Sequence, residues 1–165
     1  MRNFSALLGW PVIAEPGSGV RTRLSDCDGL IAPADIILRG ENISQDLSPD
    51  FVLRFGKTPT SKVVRLWAAR HAESTCVIEA NPGWHDPDAV VTNVVHAHPK
   101  DVFACLIDSV DGFDVDPSWM KSWKRAAVLA ETEIESISED VFWEGAIARK
   151  VVESLPQQSL LHVSN

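Results

Sequence analysis

The stretch Asp50-Phe-Val-Leu-Arg-Phe-Gly-Lys-Thr-Pro-Thr-Ser-Lys62 decides the fold. Asp50–Phe55 reads as a strand that ends in Gly56. Thr58-Pro59 then supplies an N-cap residue followed by proline at the first helical position. Val63, Val64 and Trp67 continue along one helical face. Working outward, Pro11–Ala14, Thr75–Glu79 and Val90–Val95 are further short apolar strands, while Leu30–Leu38, with Pro33 in its first turn, and Asp101–Val110 have helical spacing. Strands alternating with helices in this way imply βαβ units and a parallel sheet covered on both faces. The expected class is α/β: a three-layer, Rossmann-like, doubly wound and mostly parallel sheet, followed by linker helices.

The C-terminal part changes character at the acidic, turn-rich connector Asp111–Pro117. Trp119, Trp123, Ala126, Ala130, Ile134 and Ile137 form one helical stripe, and Ser136-x-x-Glu139 is a capping box for the next helix. That helix carries Val141, Gly145, Ala148, Val152 and Leu155 on its stripe and stops at Pro156. Ser159–Val163 reads as one more strand. The expected organisation is a central α/β domain over 1–112, linker helices over 113–158 and the first strand of a further domain over 159–165. The chain ends at Asn165, where such a strand would feed a loop, as in an interrupted protein. The helices over 117–155 are expected to be less well anchored than the sheet and covered by association or by folding back.

The 165 residues have a formal net charge of −8, a pI of about 5.0, 45% hydrophobic and 23% charged residues. Such an acidic chain is a poor ligand for nucleic-acid phosphates or anionic membranes. No apolar run approaches the ~20 residues that span a bilayer, and the run in Met1–Trp10 is too short for a signal peptide. Cys27, Cys76 and Cys105 are far apart with no CxxC; Cys76 and Cys105 sit in apolar runs and read as buried thiols. This usage points to the cytoplasm.

The candidate chemistry is sparse. Glu15-Pro-Gly-Ser-Gly19 is glycine-rich, but Pro16 intrudes and the dinucleotide fingerprint is incomplete. His96 and His98, with Asp86 or Asp88, have no recognisable metal spacing and read as a solvated strand end. Ser18 and Ser61 have no neighbouring His–Asp pair, so neither is expected to be a nucleophile. The strongest local site is the loop Gly56–Lys62. It lies where open α/β sheets bind ligands and where helix-start amides favour anions. Lys57 and Lys62 add charge, and Thr58, Thr60 and Ser61 add hydroxyls. A carboxylate or phosphate ligand is one reading; an ordinary capped helix with solvated lysines is the other.

Three stretches carry a resemblance: Leu7–Gly19 with its Gly9-Trp10-Pro11, Pro49–Lys62 with its Thr60-Ser61-Lys62, and Leu155–Asn165. Together with Ala80–Pro87 they resemble, in order, the central region of the MenD family, the 2-succinyl-5-enolpyruvyl-6-hydroxy-3-cyclohexene-1-carboxylate synthases. The resemblance implies a transferase of menaquinone or phylloquinone synthesis with three α/β domains, of which this chain is the central one plus linkers. It implies thiamine diphosphate and Mg2+ in the parent, held by the other two domains, and a fragment that is inactive and binds neither. The parent reaction decarboxylates 2-oxoglutarate on the cofactor and adds the resulting succinyl-semialdehyde carbanion to isochorismate. Lys62 matches the family's substrate-contacting lysine, with Thr60, Ser61 and Asn165 as weaker contacts; Val63 stands where some members have an arginine. Arg21 and Arg54 are weak candidates for a regulator's anion site, and no residue of the chain is expected to be catalytic or metal-binding. The implied partners are the other domains of the polypeptide and further copies in a dimer or tetramer. The other readings are the central domain of a different thiamine-diphosphate enzyme and a stand-alone module that binds an acidic metabolite.

Overall fold

The computed structural model describes residues 2–23, 27–83, 85–110, 114–137 and 143–162. Along them run α1 (Arg2–Leu8), α2 (Gly19–Arg23), α3 (Ala34–Ile37), α4 (Glu41–Asp46), β1 (Phe51–Phe55), α5 (Lys62–His71), β2 (Ser74–Ile78), β3 (Asn93–Val95), α6 (Pro99–Ser109), α7 (Ser118–Ser136) and α8 (Glu144–Glu153). The strands form one parallel sheet in the order β1-β2-β3. Phe51 pairs with Ser74 and Phe55 with Ile78; Cys76 pairs with Asn93 and Ile78 with Val95. Helix α5 is the crossover that parallel pairing of β1 and β2 demands. The α/β class read from the sequence is therefore the observed one.

Two compact units divide the chain, residues 1–131 and residues 132–165. In the first, side chains alternate across β1. Phe51 and Phe55 meet an aromatic group from α1, its following turn and α6. Trp10 lies 5.9 Å from Phe51, Phe103 stacks on Phe55 at 4.5 Å, and Phe4 touches both Trp10 and Phe103 edge-on. A separate cluster joins Ile31, Ala34, Ile37, Leu38 and Leu47 to Val64 and Trp67 of α5 and to Trp123 and Ala126 of α7. Trp123 is fully buried, with its ring edge-on to Trp67 at 5.5 Å and to Trp119 at 6.2 Å. The first half of α7 is thus core, the folded-back packing expected for part of 117–155. The reason is the tryptophan stripe itself, which buries its rings against α5. In the second unit no residue of α8 is buried, and Ile147, Val151 and Val152 are exposed.

Several element boundaries differ from the sequence expectation, each for a local reason. Pro11–Ala14 forms only a single parallel bridge, Val12 to Leu30. Pro11 has no N–H to donate, and Val12 alone exchanges bonds with Gly29 and Ile31. With Leu30 in that bridge, the helix over 30–38 shrinks to α3, capped rather than opened by Pro33. Strand β3 starts at Asn93 because the Val90 and Val91 amides donate to the Asp86 carboxylate, not to a ladder. Residues 159–162 form no strand: Ser159 turns back, its N–H and hydroxyl both donating to the Pro156 carbonyl. Glu139 of the capping box, Val141 and Val163 lie outside the described residues. Cys105 is exposed on α6, not buried; Cys27 is buried and Cys76 intermediate, its thiol pKa raised by desolvation. Helix α6 has no buried residue, so an apolar run there does not guarantee burial.

Two stability measurements check this packing. Trp123→Ala should cost about 3–5 kcal/mol in urea unfolding. Trp123→Phe should cost clearly less, since it also removes an indole N–H that is buried without a partner. The second concerns Asp35, whose carboxylate accepts from the Ser61 hydroxyl at 2.5 Å and from Arg39 at 2.9 and 3.0 Å. The Ser61 bond is the largest cause holding the Asp35 pKa below its ordinary value. A lowered folded pKa stabilises above the unfolded pKa of about 3.9 and is lost as pH falls through the folded value. Ser61→Ala should raise the Asp35 titration midpoint in carboxyl NMR and cost about 1 kcal/mol at pH 7, a difference that shrinks in acid. An unchanged midpoint would contradict the assignment of that bond.

Candidate functional site

Strand β1 ends at Gly56, whose φ of +77° is readily reached only without a side chain. Its N–H donates to the Ile78 carbonyl, turning the chain out over the C-terminal edge of the sheet. Thr58 does not cap the following helix. Its hydroxyl donates instead to the His85 carbonyl at 2.7 Å, which also accepts from Arg54 Nη2 at 2.6 Å. The cap is Ser61, whose Oγ accepts from the Val64 N–H at 3.1 Å while donating to Asp35. The expected Thr58-Pro59 start is thus corrected by one helical turn. An ordinary N-cap serine ahead of the Val64–Trp67 face was a signal for it.

This correction moves Lys62 to the first residue of α5. Helix starts carry partial positive charge, so a lysine there is in an electrostatically poor position. The first turn of α5 contains no acidic residue. Lys62 is exposed and forms no ion pair among the described residues. The same holds for Lys57.

Two amides just ahead of α5 are already engaged within the protein. The Thr60 and Ser61 N–H groups donate to Glu15 Oε2 at 3.1 and 3.2 Å. Glu15 comes from the glycine-rich turn, closed by the Ser18 N–H donating to the Glu15 carbonyl at 2.9 Å. Sequence reasoning missed Glu15 as a member of this site, because 45 residues separate it from Thr60 and no local spacing marks the pair.

The remaining candidates have partners of their own. Arg21 Nη2 donates to the Ala32 carbonyl at 3.1 Å. Arg54 lines a shallow cleft with Glu79, Gly83, His85, Asp86 and Val94. Burial pulls the Arg54 pKa down, opposed by the Asp86, Glu79 and Asp88 carboxylates. Asp88 is itself paired with Arg65 at 2.8 Å. His96 and His98 are both exposed just beyond β3, as a solvated strand end requires. The strand stops at Val95, and His98 caps α6, its Nδ1 accepting from the Lys100 N–H at 3.3 Å. Among the described residues no three His, Cys, Asp or Glu side chains group to hold a metal, and no helix is long and apolar enough to cross a membrane. Asn165 lies outside the described residues.

Comparison with known proteins gives this geometry a context. A family model described as the middle domain of thiamine pyrophosphate matches residues 1–163. The chain is 33% identical over 159 residues to a 2-succinyl-5-enolpyruvyl-6-hydroxy-3-cyclohexene-1-carboxylate synthase of Oceanobacillus iheyensis, a match over 95% of the chain and 28% of the relative. It is 29% identical over 161 residues to the synthase so named in Bacillus velezensis, over 96% of the chain and 28% of the relative. The Listeria monocytogenes synthase is 28% identical over 172 residues, over 100% of the chain and 29% of the relative. The chain thus spans between a quarter and a third of the length of the curated relatives it matches. With a parallel sheet, a crossover helix and a family match running almost end to end, the chain belongs to the thiamine pyrophosphate middle-domain family.

Proposed function

We propose that this chain is the central domain of a synthase of the kind its relatives are named for. The parent decarboxylates 2-oxoglutarate on thiamine diphosphate and joins the four-carbon product to isochorismate. The chain's own part is to present one cation to a substrate carboxylate. The observation that carries this is Lys62. It stands exposed at the sheet's C-terminal edge, without an ion pair among the described residues, at a helix end where a cation does not favour folding. A residue placed against its own helix dipole is better explained by a ligand than by stability.

The cofactor finds little support among the described residues, where no three His, Cys, Asp or Glu side chains group to hold its metal. Two backbone amides ahead of α5, those of Thr60 and Ser61, are engaged by Glu15. Thiamine diphosphate and Mg2+ therefore belong, in this proposal, to other domains of the same polypeptide, and the domain alone is inactive. Thr60 and Ser61 contribute less to substrate than Lys62, because their amides serve Glu15 and the Ser61 hydroxyl serves Asp35. Arg54 is a weak anion contact, with three carboxylates around it, and Arg21 spends a donor on Ala32. Asn165 remains a proposed substrate contact on sequence resemblance. The exposed apolar side chains of α8 support an arrangement in which another domain or a second copy covers them, as in a dimer or tetramer. The proposed compartment is the cytoplasm.

Steady-state kinetics of the complete polypeptide test the reading. Lys62→Ala should lower kcat/KM by roughly 10- to 150-fold, the equivalent of one charge-assisted contact. The affinity for thiamine diphosphate should hardly change. Lys57→Ala, on the turn before the helix, should cost far less. Equal, small losses for the two lysines would overturn the role of Lys62.

A further inference from the structure

We infer, on the reading of Lys62 as a substrate contact, that Glu15 is the positioning residue that holds this lysine in place. Its Oε2 accepts from two consecutive amides, Thr60 and Ser61, immediately ahead of Lys62. The backbone that sets the direction of the lysine is thereby fixed one residue from its Cα. The grip extends on both sides. Thr58 is tied to the His85 carbonyl, and the Ser61 hydroxyl bridges the Val64 N–H and Asp35. Asp35 is in turn held by Arg39.

Charge supports the same role. The start of α5 has two positive features, the helix dipole and Lys62, and no acidic residue of its own. Glu15 supplies the missing negative charge from a distant turn through charge-assisted bonds. It does so without an ion pair to Lys62, because its bonded oxygen faces the amides. The lysine is steadied but not neutralised, which a substrate-binding cation requires. An aspartate at position 15 would be one methylene short of the amides. A glutamine would keep an acceptor oxygen at the right reach but lose the charge.

The test is a set of steady-state measurements on the complete polypeptide with Glu15→Ala, Glu15→Asp, Glu15→Gln, Lys62→Ala and the Glu15→Ala/Lys62→Ala double variant. Glu15→Ala and Glu15→Asp should each lower kcat/KM by about tenfold, mostly through a raised KM for the carboxylate substrate. Glu15→Gln, which keeps the acceptor and loses the charge, should lower kcat/KM by about threefold, less than Glu15→Asp. In the Lys62→Ala background, Glu15→Ala should change kcat/KM by less than about twofold, because a residue that acts only through the lysine has nothing left to position. Full additivity in the double variant, with native behaviour of cofactor binding, would overturn the inference and leave Glu15 as structural. Native kinetics for Lys62→Ala would remove the substrate-contact reading and this inference with it. Native kinetics for Glu15→Ala beside a strong Lys62→Ala loss would remove this inference alone. If Glu15→Ala does not fold, the Asp and Gln variants decide: equal losses for both overturn it.

Discussion

The start of α5 is fixed by three oxygen acceptors, and the placement of everything beyond β1 depends on where that helix starts. Glu15 takes the amides of Thr60 and Ser61, Ser61 Oγ takes the amide of Val64, and Asp35 takes the hydroxyl of Ser61. An N-terminus leaves amides without helical partners, so a helix will begin where such partners stand ready. Here two of the acceptors come from other segments, the turn after residue 14 and α3. The first third of the chain therefore specifies the beginning of the crossover helix. The crossover helix in turn sets Val64 and Trp67 against the residues with which they form the buried cluster.

That cluster ties the fold to residues far along the chain. Trp67 donates its indole N–H to the Ser44 carbonyl at 2.9 Å and presents its ring to Trp123. The aromatic group of Phe4, Trp10, Phe51, Phe55 and Phe103 does similar work for α1, α6 and β1. Edge-on and offset pairs of this kind add about 0.5–1.5 kcal/mol each beyond burial. Lys57 and Lys62 stand exposed on the segment that follows β1.

Strand and helix existence was legible because the apolar runs at 51–55 and 74–78 and the stripe through Trp67 have unmistakable periods. The stripe through Trp119 and Trp123 showed a helix, though not that its first half is core. What was hidden depends on bonds between distant residues. Thr58 looked like a cap until its hydroxyl was seen to serve His85. Val90 and Val91 looked like strand until Asp86 was seen to hold their amides. The site was legible as a loop with two lysines, and the helix start gave reason to expect a negative group beside it. That the protein fills this anion position with its own Glu15 was not readable, because a carboxylate and its partners 45 residues on share no pattern.

Amide hydrogen exchange on the 165-residue chain tests the central claim most directly. The first amides of an ordinary helix lack acceptors and exchange quickly. The account predicts slow exchange at Thr60 and Ser61, comparable with Val64. In Glu15→Ala that protection should be lost at Thr60 and Ser61 while the β2 amides keep theirs. Thr60 and Ser61 exchanging in the native chain at the rate of an open loop, beside a protected Val64, would contradict it.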